Sequence, residues 1–121
     1  MNKLYQGDCI KIMSSLPEDC VDMVFCDLPY GTTQNSWDSP IPFDELWSQY
    51  RRIVKENGAI VLTAQPPFDK VLACSNLKEF KYEWIWEKNK ATGHLNAKKM
   101  PMKAHENILV FYRKLPTYNP Q

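Results

Sequence analysis

Apolar positions recur along this chain in two rhythms. Within residues 43–56 they come at three- and four-residue steps: Leu46, Trp47, Tyr50, Ile53 and Val54. That spacing lines one face of a helix, and Gly58 stands where such a helix would stop. Met23, Val24, Phe25 and Cys26 form a short unbroken apolar run, as do residues 59–64. Both read as buried strands. Residues 82–86 alternate aromatic and smaller side chains and read as a strand, and residues 107–112 read as the last strand. Ile10, Ile12, Met13 and Leu16 mark a short helix stopped by Pro17, preceded by a short strand at Lys3, Leu4 and Tyr5. A further helix is expected over residues 68–75, after Gln65, Pro66 and Pro67. Strands alternating with helices in 121 residues indicate one α/β domain.

The polar interruptions carry the chemistry. The run at Met23 ends at a carboxylate, Asp27, followed by Leu28, Pro29, Tyr30 and Gly31. Pro29 holds Leu28 extended, and Gly31 lets the chain turn away. An acid and a ring are thereby fixed at a strand's carboxyl end, where open α/β sheets bind ligands. Asp27 and the Leu28 carbonyl offer acceptors only, and Tyr30 offers a ring face. Such a set suits a flat, amino-bearing group such as a nucleobase; it also suits a plain strand-to-loop turn. Asp8 stands where a helix cap belongs. After Gly31 a polar loop leads to Trp37, which either covers the core or faces a ligand.

Asp27-Leu28-Pro29-Tyr30 resembles the Asp-Pro-Pro-Tyr motif of DNA amino-methyltransferases. Gly7-Asp8-Cys9, Leu16-Pro17 and Val21-Asp22 precede it in the order of the β-type, circularly permuted branch. Residues 57–62, His105-Glu106-Asn107 and Tyr118-Asn119-Pro120-Gln121 continue the likeness, which is nearest to phage and prophage members. Leu28 departs from the motif's usual proline. The resemblance implies part of a Rossmann-like sheet, mostly parallel with an antiparallel last strand. It implies S-adenosylmethionine as methyl donor, no metal, and a flipped-out adenine as acceptor. Asp27, Leu28, Pro29 and Tyr30 would be the catalytic tip, with Asp8, Cys9 and Asp27 near the cofactor. Cytosine amino-methylation and a non-catalytic DNA-binding remnant stand as alternatives.

Charge adds a partner. Residues 1–60 carry 5 Lys/Arg and 9 Asp/Glu, whereas residues 61–121 carry 10 and 5. Residues 88–104, expected as one long basic loop, hold Lys88, Lys90, Lys98, Lys99, Lys103 and His94 and no acid. Such a loop suits the phosphates of double-stranded DNA, or a merely solvated face. The chain has only four glycines, Gly7, Gly31, Gly58 and Gly93. None forms the glycine-rich strand-to-helix turn that brings a cofactor against the backbone. By resemblance, residues 1–121 are then a single partial catalytic domain. It would lack the cofactor turn, the two central strands and most of the target-recognition region, and would need a C-terminal half as partner. Exposed sheet edges would favour self-association.

Cys9, Cys20, Cys26 and Cys74 form no CxxC pair and read as free thiols of a reducing cytosol. No apolar run approaches membrane-spanning length. Asp8, Asp22 and Asp27 could serve a metal-dependent nuclease, but Asp22 and Asp27 differ by five positions and fall on opposite strand faces.

Overall fold

A computed structural model describes residues 2–31, 35, 36 and 38–121. The helices are α1 (Cys9–Ser14), α2 (Phe43–Ile53) and α3 (Phe68–Cys74). The strands are β1 (Val21–Asp27), β2 (Val54–Ala64), β3 (Phe80–Thr92) and β4 (Lys103–Phe111), with a 3-10 turn at His94–Asn96. They form one sheet in the order β1-β2-β4-β3. β1 and β2 are parallel, and β4 runs against both β2 and β3. Three strands therefore point one way and the last runs against them. The α/β class, the mixed sheet and the antiparallel last strand are those expected from the sequence.

The helical periodicity of residues 43–53 packs α2 onto one sheet face. Leu46, Trp47, Tyr50 and Ile53 are all buried there with Ile60, Leu62, Leu72 and Phe111. The Trp47 indole donates to Ser75 Oγ at 2.8 Å, so the helix layer is also pinned by a polar bond. α1 is tied to α2 through Arg52, whose guanidinium donates to the Leu16 carbonyl at 2.7 Å and to that of Met13. Those carbonyls lie at the helix end, where intrahelical donors run out.

Four expectations are corrected. Lys3, Leu4 and Tyr5 form no strand, and Leu4 and Tyr5 are exposed. An extended segment becomes a strand only beside a partner, and none of the described residues pairs with it. α2 ends at Ile53, and Gly58 lies within β2 instead of capping the helix. There the chain bulges against β1, and a Cβ on Gly58 would meet Val54 Cγ1 at 2.6 Å and the Asp22 carbonyl oxygen at 2.8 Å. The glycine serves close approach, as strand glycines often do. Met23 and Phe25 are exposed rather than buried, because no helix among the described residues covers their face of β1. Finally, residues 88–104 are not one loop. β3 runs on to Thr92 and β4 begins at Lys103, leaving residues 93–102 between them.

Candidate active site

Asp27 ends β1 directly opposite Thr63 of β2. Thr63 Oγ1 donates to Asp27 Oδ1 at 2.7 Å, and the Tyr30 hydroxyl donates to the same oxygen at 3.0 Å. Oδ2 takes no hydrogen bond from any described residue. The carboxylate is thus held by one oxygen and offers the other at an exposed strand tip. Burial pushes the Tyr30 phenol above the usual tyrosine range; the Thr63 bond opposes this and Asp27 reinforces it. Tyr30 therefore stays protonated near neutral pH and remains a donor to Asp27.

The ring of Tyr30 stacks on Phe68 with centroids 4.8 Å apart. Phe68 opens α3, just past the carboxyl end of β2, so the two strand ends build the site together. Tyr30, Ile41, Phe43 and Phe68 line a mainly apolar cavity of about 320 Å³ beside it. Gly31 fixes the exit of the chain: its φ is +74°, and its amide donates to Asp38 Oδ1 at 3.0 Å. Leu28 is buried in the core, as an apolar residue at a motif position whose carbonyl matters can be.

Alternation places Asp27, Thr63, Gln65 and Glu106 on the same face of the sheet, above Met23, Phe25, Val61 and Val110. Gln65 Nε2 donates to Glu106 Oε1 at 2.8 Å, and Lys88 Nζ lies 3.4 Å from Glu106 Oε2 and 3.6 Å from the Trp86 ring centroid. Gln65 follows a strand's carboxyl end and was expected from the sequence to border this cleft, whereas Thr63 was not singled out. The one available signal was a hydroxyl near the end of an otherwise apolar run, followed by an amide.

Asp8 and Cys9 sit elsewhere. Asp8 caps α1, its Oδ1 accepting from the Lys11 amide at 3.0 Å, and Cys9 is exposed at the helix start. Among the basic residues, Lys88 is held by Glu106, and Lys103 Nζ donates to the Pro66 carbonyl at 3.4 Å. Lys90, Lys98 and Lys99 are exposed, and their ammonium groups have no partner among the described residues. Asp22 pairs with Lys55 at 2.7 Å, away from Asp27, and the described residues contain no group of three potential metal ligands. Among the described residues no helix is long and apolar enough to cross a membrane. The four cysteines are free. Trp37 lies outside the described residues.

No family model matches the chain. Its curated relatives are DNA methyltransferases. It is 24% identical to the DNA adenine methyltransferase YhdJ of Escherichia coli K12, over 95% of this chain and 42% of that protein. It is 30% identical to the type II methyltransferase M2.MboI of Moraxella bovis, over 47% of this chain and 29% of that protein. Among solved structures it overlays the M1.HpyAVI–SAM complex with a TM-score of 0.67, at 19% identity, covering 97% of this chain and 60% of the other. The cytosine-N4-specific PvuII DNA methyltransferase overlays with a TM-score of 0.63, at 13% identity, covering 93% and 49%. The chain has the fold of a partial methyltransferase domain. It spans less than half the length of these curated relatives, and both adenine and cytosine-N4 enzymes appear among the matches.

Proposed function

We propose that this chain carries the catalytic tip of a DNA amino-methyltransferase, which methylates the exocyclic amino group of a base extruded from the duplex, adenine in the first instance. The observation that carries this is exposed Asp27, fixed through Oδ1 by Thr63 and Tyr30 while Oδ2 takes no hydrogen bond from any described residue. A base inside a duplex cannot reach such a tip, so extrusion is required. Asp27 Oδ2 and the Leu28 carbonyl then accept the two amino hydrogens, which aims the nitrogen lone pair away from the protein. Tyr30, backed by Phe68, supplies a ring for the base to stack on. Positioning and electrostatics do the catalytic work, without a covalent nucleophile. The methyltransferases among the relatives and structural neighbours, one of them solved with SAM, support this reading.

S-adenosylmethionine, bound, supplies the electrophilic methyl group. The residues present do not enclose it: Asp8 spends an oxygen on its helix cap, Cys9 is exposed, and the sheet ends at β1 beside Asp27. A complementary half bearing the glycine-rich turn would complete the pocket. The isolated chain is therefore expected to bind the cofactor at about millimolar Kd or weaker, since several polar contacts of about 1 kcal/mol each are missing. Titration calorimetry on the chain decides this, and tight stoichiometric binding would remove the need for a second half.

The decisive experiment combines the chain with a polypeptide carrying that half and follows methyl incorporation into DNA. Wild type is expected to restore transfer, and Asp27→Ala to reduce it by about a thousandfold or more while the thermal midpoint of the chain holds. Near-normal transfer by Asp27→Ala would sink the site. Absence of transfer by the wild-type mixture would favour a DNA-binding remnant. Nucleoside analysis of the product separates methyladenine from methylcytosine, the second reading that the PvuII overlay keeps open.

A further inference from the structure

β3 and β4 do not stop where the sheet stops. Asn107 pairs with Ala64, the last residue of β2, and with Ile85 of β3. Beyond that point the ladder continues through Trp86 opposite Glu106, Glu87 opposite His105 and Thr92 opposite Lys103, with no β2 beside it. Four residues of β4 at about 3.4 Å each carry this two-stranded arm roughly 14 Å past the edge. β3 points the same way as β1 and β2, so the arm leaves the edge that bears Asp27 and Tyr30.

At the tip, Gly93 adopts φ +89° and leads into the 3-10 turn His94–Asn96. Leu95 in that turn is 88% exposed, and Met100 and Met102 nearby are exposed as well. Single exposed leucines are ordinary on protein surfaces. This one ends a projecting ribbon that carries Lys90, Lys98 and Lys99, all exposed, with no acid between residues 88 and 104. Cations hold phosphates, a two-stranded ribbon fits a DNA groove, and apolar side chains inserted between base steps unstack them.

We propose that the arm is a DNA wedge: its lysines grip the backbone, and Leu95 inserts into the base stack beside the nucleotide presented to Asp27. This rests on the DNA reading given above. It adds that the chain itself contributes to opening the duplex and does not only receive a base opened by another region.

The test titrates the full chain with a short duplex and with the same duplex carrying one mismatched pair, by fluorescence anisotropy. A wedge gains most where stacking is already weakened, so wild type is expected to favour the mismatched duplex by about tenfold. Leu95→Ala is expected to lose that preference with its salt dependence unchanged, and Leu95→Met to recover it. Lys98→Ala with Lys99→Ala is expected to flatten the salt slope by about 0.9 per lost phosphate contact and keep the preference. Equal binding of the two duplexes by wild type, or a preference that survives Leu95→Ala, would overturn the wedge and leave DNA binding standing. Failure to bind either duplex at low salt would overturn the wedge and the phosphate role of the arm together. Methyl transfer by the completed enzyme is read independently and is not decided by either result.

Discussion

The two faces of the sheet are made by the same strands and have met different fates. On one, Ile60, Leu62, Leu109 and Phe111 lie under α2 and α3, and Leu62 and Phe111 are fully excluded from solvent. On the other, Met23, Phe25, Val61, Tyr82, Trp84 and Val110 are just as apolar, yet Phe25 is 66% exposed. Among the described residues the tail around Leu115 and Tyr118 leans over this second face, leaving a cavity of about 660 Å³. Strands that read as unbroken apolar runs are those expected to be covered on both sides. One face is thus a core already closed, and the other is an apolar floor leading up to Asp27 and Thr63. An exposed patch of this kind marks a contact surface, and we propose it as the surface on which the complementary half would pack.

Mutations can break this contrast. The largest effect is expected on the closed face: Leu62→Ala should cost about 2–5 kcal/mol, because it leaves a cavity in a packed layer. Phe25→Ala on the open face should cost about 0.5 kcal/mol or less in the isolated chain. Urea unfolding of both variants gives the comparison, and similar losses would mean that the open face is covered in solution. With the complementary half present, the cost of Phe25→Ala should rise towards that of a core residue.

A smaller effect belongs to the rim that joins the open floor to the site. Thr63→Val keeps the shape of the buried side chain and removes the 2.7 Å bond to Asp27. Methyl transfer by the completed enzyme should fall about tenfold, equivalent to one hydrogen bond to a charged group. An unchanged rate with a normal Asp27→Ala phenotype would show that Thr63 does not orient the carboxylate.

The smallest effect is a pH dependence of the closed face. Burial, and then the neighbouring Cys26 thiol, push the Tyr50 phenol well above the usual tyrosine range. Its folded-state pKa thus lies above the unfolded value. Stability from this source is complete below about pH 10, the unfolded tyrosine value, and is lost as pH rises beyond it. Cys26, itself raised mainly by burial, adds a loss of the same sign that begins at lower pH. Tyr50→Phe should flatten the fall in unfolding midpoint above about pH 10. An identical pH profile in that variant would place the titration elsewhere.

What the sequence determined by itself was whatever depends on near neighbours in the chain. The three- and four-residue spacing of Leu46, Trp47, Tyr50 and Ile53 specified α2 and its buried face. Asp8 announced a helix cap and is one. The carboxylate, proline and tyrosine after an apolar run placed an acid and a ring at a strand tip, and Asp27 and Tyr30 are hydrogen-bonded there at 3.0 Å. Tertiary structure alone decided what depends on partners distant in sequence. Lys3, Leu4 and Tyr5 have the pattern of a strand but no neighbour among the described residues to pair with. Gly58 looks like a helix stop from its local context, but the approach of the Asp22 carbonyl from β1 is what requires it. Thr63 and Glu106 join the candidate site only because β1, β2 and β4 bring positions far apart in the chain to one sheet edge. Residues 88–92 and 103–104 belong to an arm rather than a loop because β3 and β4 satisfy each other's backbone groups past the end of β2. Backbone pairing acts across the sheet, and no local pattern encodes which strand lies alongside.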